Sequence, residues 1–372
     1  MDGLHPEVRA PRNLLVTGGC GFIGSAFIRH LFGPAEFGGR IVNLDLLTYA
    51  ANPANVAGAV DEARYTLVRG DIADEALVER VCRDHDIEAI VHFAAESHVD
   101  RSILGPLAFV RTNVLGTVSL LEVVRRLPGI HFHHVSTDEV YGSLGATGQF
   151  REDSPYSPRS PYAASKAASD HFVRAAAHTW DISVTLSNSS NNYGPCQFPE
   201  KLIPLMILSL REGKPLPVYG DGQHVRDWLH VDDHAEAVWL ILRRGARGDT
   251  YNIGGAAERT NLALVHELIA AYADITGTDE EALKVLVTFV EDRPGHDRRY
   301  AIDSGKIRRA MGWHPRRDLA TGLRETVRWY LDNPDWIASI ENGRYQEWLE
   351  LNYAERSAAA SGSRASRRRR RT

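Results

Sequence analysis

Asn13-Leu14-Leu15-Val16-Thr17-Gly18-Gly19-Cys20-Gly21-Phe22-Ile23-Gly24-Ser25 is the stretch whose reading decides the fold. Residues 13–17 are a short apolar run of strand formers, and the pattern predicts a helix over 25–32. Between them Gly18, Gly21 and Gly24 make a G-x-x-G-x-x-G turn. Glycine permits the tight turn and a close backbone approach to a pyrophosphate, which the following helix N-terminus attracts. A bare turn would carry the same glycines, so a second feature is needed. Asp45 supplies it, 21 residues beyond Gly24 at the end of the next strand pattern. A carboxylate there suits the hydroxyls of an adenosine ribose. It would also repel a 2′-phosphate, so NAD is the expected cofactor and NADP is not. Phe22 and Ile23 in the loop and Thr48 beyond Asp45 join this candidate cofactor set.

Outward from that stretch, strand-like runs at 41–44, 65–68, 89–93, 132–136 and 183–186 alternate with helical patterns, the longest at 107–127 and 162–178. Short apolar strands separated by helices predict an α/β chain, a Rossmann-type doubly wound parallel sheet covered on both faces. Asp71 and Ile72, after the third strand, would lie beside the adenine. Phe93, Ala94 and Ala95, after the fourth, are small enough at the last two positions for a cofactor to pass. At roughly 150 residues per domain, the 372 residues suggest two units. The expected division is an NAD-binding domain over 1–195, rejoined by 230–254, and a smaller discontinuous α/β substrate lobe over 196–229 and 255–345.

Composition narrows the classes further. Hydrophobic residues are 43 % and charged residues 24 %, the balance of an ordinary globular protein. Three cysteines with no paired spacing exclude a disulfide scaffold or zinc ribbon as the organising principle. The reading finds no membrane span, and Asp2, Glu7, Arg9 and Arg12 do not suit a signal peptide, so a reducing, cytoplasmic setting is expected. The net charge of −5 hides an asymmetry, because 356–372 holds seven arginines and no acid, leaving a body near −12. That body is a poor match for nucleic acid, which needs a basic face. The Ser/Ala/Arg tail is expected to be disordered. Only five of the 43 basic residues are lysine, among them Lys166 and Lys201.

Two clusters carry the chemistry. Tyr162-x-x-x-Lys166 opens the 162–178 helix, placing both side chains on one face. A nearby ammonium favours the phenolate, so Tyr162 is expected to be a base near neutral pH. Ser136-Thr137-Asp138-Glu139 closes the strand at 132–136, at the sheet edge that faces the ligand crevice. A hydroxyl followed by two carboxylates can supply an acid and a base if the environment separates their pKa values. Alone, each would read as an exposed pair or a solvated acidic loop; together behind a dinucleotide turn they read as catalytic.

These residues resemble the extended short-chain dehydrogenase/reductases, and among them the dTDP-glucose 4,6-dehydratases. The resemblance adds Ala94-Ala95-Glu96-Ser97-His98-Val99-Asp100, Ser190-Asn191-Asn192-Tyr193-Gly194-Pro195, Phe198-Pro199-Glu200-Lys201, Arg226-Asp227-Trp228 and Asp292-Arg293-Pro294-Gly295-His296, and spans about 13–345. It implies that Tyr162 takes the sugar 4-hydroxyl proton as hydride leaves C4 for NAD, with Thr137 bonding that oxygen. Glu139 would then remove the C5 proton, Asp138 would protonate the departing C6 hydroxyl, and hydride would return to C6. It also implies substrate contacts from Ser97, Asn191, Lys201, Leu202, Pro217, Val218, Tyr219, Arg226, Asn261, Asp292, Arg293, Pro294, Gly295 and His296, and cofactor contacts from Thr112 and Asn192. dTDP-glucose is the implied substrate, its nucleobase resting on resemblance alone, and a homodimer through helices 107–127 and 162–178 is implied. Leu46 stands where the family usually has lysine, Cys196 where an aromatic is usual, and Ser187-Asn188-Ser189 is uncommon.

The alternatives are another nucleotide-sugar dehydratase or 4-epimerase using UDP or GDP sugars, and an idle NAD-binding sensor. Other features invite over-reading. His230-Val231-Asp232-Asp233-His234 has metal-like spacing, but a strand ending in a helix capped by Asp232 or Asp233 is the simpler expectation, and no metal is expected. His131-Phe132-His133-His134 alternates faces of a strand, so packing or surface exposure is expected. Cys20 reads as a small filler and Trp329-Tyr330 as core.

Overall fold

The computed structural model describes residues 9–340; the arginine-rich segment 356–372 and residues 341–345 of the expected lobe lie outside the described residues. Twelve strands occur among the described residues: β1 (Asn13–Thr17), β2 (Arg40–Asp45), β3 (Tyr65–Arg69), β4 (Ala89–His92), β5 (His131–Thr137), β6 (Val184–Ser189), β7 (Asn191–Tyr193), β8 (Leu216–Tyr219), β9 (Val225–His230), β10 (Thr250–Ile253), β11 (Glu258–Thr260) and β12 (Val287–Val290). β1 to β6 and β10 form one seven-stranded parallel sheet in the order β10-β6-β5-β4-β1-β2-β3. The expected α/β class and parallel sheet are therefore present. The chain winds outward from β1 in one direction and from β4 in the other, which opens a crevice at their C-terminal ends.

β4 and β5 are buried at every position, as strands with helices on both faces must be. Alternate residues serve opposite faces. Leu14, Val16 and Val91 pack with Phe27, Leu31, Val238 and Ile241. Leu15, Ile90 and Phe132 pack with Leu120, Leu121, Val124 and Val173. Each such side chain contributes about 1.5–3 kcal/mol by leaving water.

Several bounds differ from expectation, each for a local reason. The first helix is Phe22–Phe32 and starts three residues early, because Gly21 takes an extended N-cap conformation straight after the turn. β6 continues to Ser189, since Ser187, Asn188 and Ser189 pair with both β5 and β10. Their polar side chains are used inside the protein: Ser187 meets His133 Nε2 at 3.2 Å, and Asn188 Nδ2 donates to Tyr141 Oη at 2.8 Å. None of His131, His133 and His134 reaches the surface. His131 and His133 share Thr185 Oγ1 at 3.0 and 2.9 Å, and His134 points to the opposite face, so packing holds and exposure does not.

The 107–127 pattern is a continuous helical stretch, Pro106–Arg126, widened to π geometry over Val110–Gly116. By length and composition it is apolar enough to cross a membrane, which the sequence reading did not find. Half of it is buried in the protein, with Leu120, Leu121, Val123 and Val124 in the core. The π turn matters locally. It carries Asn113, whose Oδ1 accepts from Glu96 N at 2.8 Å and whose Nδ2 donates to Ser165 Oγ at 2.8 Å, tying the segment after β4 to the Tyr162 helix.

Beyond β6, β7, β9 and β11 form a three-stranded sheet, and β8 pairs with β12. Met206, Ile207, Leu264, Leu268, Val327 and Tyr330 share a separate core, with Trp329 packed against it. The helix Val231–Arg244 returns to pack on Phe22–Phe32, and β10 extends the large sheet. Ile307, Met311 and Trp313 also pack into the large-sheet core, a contact the two-lobe division does not contain. The cap of that returning helix is His230, whose Nδ1 accepts from Asp232 N at 3.3 Å, and neither Asp232 nor Asp233 has that role. Asp233 instead accepts from Arg317 N at 3.1 Å.

Candidate active site

The crevice at the ends of β1 and β4 is a cavity of about 320 Å³. Its floor is the glycine turn. Gly18 sits at φ +71°, where only glycine is at ease, and a Cβ there would lie 2.7 Å from the Ala94 backbone. A Cβ on Gly24 would lie 2.3 Å from Gly18 O. The turn thus leaves a cradle with no side chain in it, as a pyrophosphate requires. Asp45 is held at its rim by backbone donors, Cys20 N to Oδ2 at 2.9 Å and Leu47 N to Oδ1 at 2.8 Å. Burial pushes its carboxyl up, and the two N–H groups pull it back. Cys20 is a buried filler; burial first and then the Asp45 charge push its thiol up to about 12.

Every candidate cofactor residue lines this one cavity: Gly18, Gly21, Phe22, Ile23 and Gly24 from the turn, Asp45 and Thr48 after β2, Asp71 and Ile72 after β3, and Phe93, Ala94 and Ala95 after β4. Thr112, Tyr162, Lys166 and Asn192 complete the lining. This donor set and the bare cradle fit NAD. Of the substrate candidates, Ser97, Thr137, Asn191 and Lys201 line the same cavity, as does Glu139.

Thr137 is the last residue of β5, and a tight turn from Asp138 to Tyr141 follows. Thr137 Oγ1 accepts from Glu139 N at 3.3 Å and donates to Asp138 Oδ1 at 3.5 Å. Asp138 is 1 % exposed and its Oδ2 has no hydrogen-bond partner. Burial, then the charges of Glu139 and Asp227, push its carboxyl well above the usual range. Glu139 is also raised by burial, but Arg293, Arg226 and Lys201 pull it back down. Burial raises both neighbouring carboxyls, but Glu139 is offset by three cations, whereas acidic neighbours push Asp138 further up.

The Tyr162–Lys166 pair departs from expectation. Lys166 Nζ donates to Val135 O at 2.9 Å and stands 3.4 Å from His134 Nε2. Burial first, then Glu139 and other acids, raise the Tyr162 phenol, while a hydrogen bond with Thr137 pulls it down. The ammonium one turn along the helix is drawn under β5 by the strand carbonyl, so it does not set the phenol near neutrality by direct contact.

The remaining candidates form a second wall. Arg226, 4 % exposed, donates to Val225 O at 2.7 Å and Asp297 O at 2.9 Å, and its guanidinium lies 4.3 Å from the Tyr300 ring centroid. Arg293 Nη1 is 3.8 Å from Asp100 Oδ1, and Tyr219 Oη donates to Asp100 Oδ2 at 3.1 Å. His296 Nδ1 meets Asp292 Oδ1 at 2.6 Å, and Gly295 turns at φ +69°. Pro294 lies between them in this turn. Val218 is in the second core at 1 % exposure, so its side chain is not offered to a ligand. Pro217 sits beside it in β8, Leu202 begins the helix Leu202–Glu212, and Asn261 begins Asn261–Thr276 with its N–H on His224 O at 2.9 Å. None of these residues of the second wall, nor Asp138, lines the cavity itself.

Sequence reasoning missed His224, which stacks on His296 at 3.7 Å and places Nε2 3.2 Å from Asp292 Oδ2. Among the described residues this His–Asp–His trio is the one group close enough to share an ion. Both Asp292 oxygens are already matched to the two rings. It also missed the Glu200 contacts: Tyr49 Oη donates to Glu200 Oε1 at 2.8 Å and Arg101 Nε to Oε2 at 3.0 Å. Neither group has a local signal, because each forms only when distant segments meet.

The family model described as GDP-mannose 4,6 dehydratase matches residues 15–326. The chain belongs to this family. It is 51 % identical over 343 residues to a dTDP-glucose 4,6-dehydratase of Xanthomonas campestris pv. campestris (strain B100), covering 89 % of this chain and 97 % of that one. It is 46 % identical over 361 residues to the dTDP-glucose 4,6-dehydratase of Shigella flexneri, covering 92 % and 99 %. Among solved structures it is similar to DesIV (dTDP-glucose 4,6-dehydratase) from Streptomyces venezuelae, determined with NAD and TYD bound, at 47 % identity and TM-score 0.82 over 88 % of this chain and all of that one. Family membership agrees with the resemblance carried by the Gly18–Gly24 turn, the Thr137-Asp138-Glu139 triplet and the Tyr162–Lys166 pair.

Proposed function

We propose that this chain is an NAD-dependent hydro-lyase that converts dTDP-glucose to dTDP-4-keto-6-deoxy-glucose. The observation that carries the reading is the adjacent carboxyl pair at the end of β5, Asp138 buried with an unpartnered Oδ2, and Glu139 lining the dinucleotide cradle. NAD held by the Gly18–Gly24 turn and Asp45 would supply the hydride acceptor for oxidation at sugar C4 and the donor for reduction at C6. The residues do the rest. Tyr162 accepts the 4-hydroxyl proton, with Thr137 bonding the same oxygen. The C4 ketone acidifies the C5 hydrogen, which Glu139 removes. Asp138 gives its proton to the departing C6 oxygen, and water leaves. Ser97, Asn191 and Lys201 hold the sugar, and Arg226 and Arg293 the diphosphate, since guanidinium forks match phosphate oxygens. Tyr219, Asn261 and the 292–296 turn take the nucleoside end.

The dTDP and glucose specificities are supported by the activity named for relatives at 46–51 % identity. A 4-epimerase on the same fold needs a tyrosine and a cofactor but no acid–base carboxyl pair, which favours the dehydratase. Among the described residues, 9–195 and 230–254 are taken as the cofactor unit, into whose core Ile307, Met311 and Trp313 also pack, and 196–229 with the rest of 255–340 as the substrate lobe. A homodimer is supported by exposed Leu104, Leu107, Val110, Leu115, Phe172 and Trp180 on neighbouring helices. Three free buried cysteines suit the cytoplasm. Incubation with dTDP-glucose should give the base-dependent absorbance of a 4-keto-6-deoxy sugar. dTDP-galactose as the sole product would refute the dehydratase reading. UDP-glucose and GDP-mannose turned over faster than dTDP-glucose would refute the nucleobase.

A further inference from the structure

One buried carboxylate takes no part in that chemistry. Asp170 lies one turn beyond Lys166 on the helix Pro161–Trp180 and is 0 % exposed. Its Oδ2 accepts from Ser136 Oγ at 2.9 Å and from Tyr156 Oη at 2.8 Å. Its Oδ1 has no hydrogen-bond donor and lies 3.2 Å from His134 Nε2. That same nitrogen is 3.4 Å from Lys166 Nζ. A single carboxylate thus reaches the catalytic helix, the strand end that carries Thr137, and, across one imidazole, the catalytic lysine.

We propose that Asp170 is a positioning residue: the buried counter-charge that keeps Lys166 an ammonium and fastens its helix to the Ser136–Thr137 end of β5. An ammonium buried without an opposing charge sheds its proton. Lys166 is 4 % exposed, and its direct partners, the Val135 carbonyl and His134, bring no negative charge. Burial draws the Lys166 pKa down to about 8, and Asp170 is the group that holds it up. From β4, His92 faces the lysine, and from β5, His134; burial drives both imidazoles well below their usual value, so neither adds charge at neutral pH. Around Asp170 itself, burial raises the phenols of Tyr141 and Tyr162. Burial raises the Asp170 carboxyl, and Lys166, Ser136, Tyr156 and Arg174, whose Nη2 donates to Tyr156 Oη at 2.7 Å, pull it back down.

This inference rests on the proposed function for its effect on turnover, but its central claim is read without substrate. The chain has only five lysines, so ¹³Cε-lysine labelling gives five resonances, and Lys166→Arg identifies the one of interest. Asp170→Asn keeps the shape and an acceptor for both hydroxyls and removes the charge. In the NAD-loaded protein it should lower the Lys166 titration midpoint by about one pH unit or more. The alkaline limb of kcat should move down with it, while KM for dTDP-glucose changes less than about twofold. Asp170→Glu should restore both. Ser136→Ala with Tyr156→Phe removes two donors that favour the ionised carboxylate, so the midpoint should also fall, by less than in Asp170→Asn. That variant decides the matter if Asp170→Asn does not fold. A midpoint unmoved in folded Asp170→Asn or, where that variant does not fold, unmoved in the double variant would overturn the proposal. No turnover of dTDP-glucose by the wild type would instead count against the functional reading, with the titration still judging Asp170.

Discussion

The two walls of the cleft are made in different ways. The sheet-side wall is backbone: Gly18, Gly24 and the chain after β4 approach so closely that one added carbon collides. The opposite wall is side chains from several segments, Arg226, Tyr219, His224 and the 292–296 turn, held to one another by Asp100, Asp292 and Asp297. A backbone wall tolerates no change in shape, whereas a charged wall can be tuned by changing charge. Shape therefore governs the cofactor side, and electrostatics governs the substrate side, where Arg293, Arg226 and Lys201 offset part of the rise that burial gives Glu139.

Substitutions test that contrast in order of size. Glu139→Gln sits where the walls meet and should cut dehydration by about 10²–10⁴-fold, the usual worth of a general base. C4 oxidation, read by reduced-nicotinamide absorbance, should persist; full dehydration by this variant would remove Glu139 from its role. Gly18→Ala challenges the backbone wall. It must adopt φ +71° and meet Ala94, so NAD affinity by calorimetry should fall at least about tenfold, from a left-handed cost of about 1–2 kcal/mol before the collision. Unchanged NAD content would show that the cradle is not shape-limited.

Arg293→Ala challenges the charged wall, with KM for dTDP-glucose rising about tenfold and kcat changing less. The pH profile carries the sharper reading. Glu139 must be ionised, so activity grows as pH rises through its pKa, and Asp138 and Lys166 must be protonated, so activity falls at higher pH. Arg293 is the leading charge holding Glu139 down, so its loss should move the acid limb to higher pH and leave the alkaline limb in place. An unmoved acid limb would separate the two walls electrically. The smallest expected effect is that of deleting 361–372, which lies outside the described residues: kcat/KM should be unchanged within about twofold, as for surface changes away from a site.

Legibility followed the same divide. The glycine turn, Asp45 and the segments after β3 and β4 were readable because each is a strand end, and strand ends in a doubly wound sheet converge on one crevice. Lys166 was correctly placed beside Tyr162 in spacing, yet its ammonium turned to the Val135 carbonyl, a contact that helical periodicity does not encode. Val218 was named for a ligand and went to the core, because alternation along β8 sends it inward between Pro217 and Tyr219. His224 and Asp170 carried no motif, and the Phe198–Lys201 motif did not reveal what Glu200 touches, since these partners lie well away along the chain.

The sequence by itself determined the parallel sheet, the dinucleotide turn and the placing of two adjacent carboxyls at a strand end, all consequences of local spacing and of the chirality of strand–helix units. Tertiary structure alone decided how differently Asp138 and Glu139 are surrounded, where the Lys166 amine is anchored, and which cations stand near Glu139. Those properties depend on burial and on distances between remote side chains, and a low-dielectric interior makes small differences in either large.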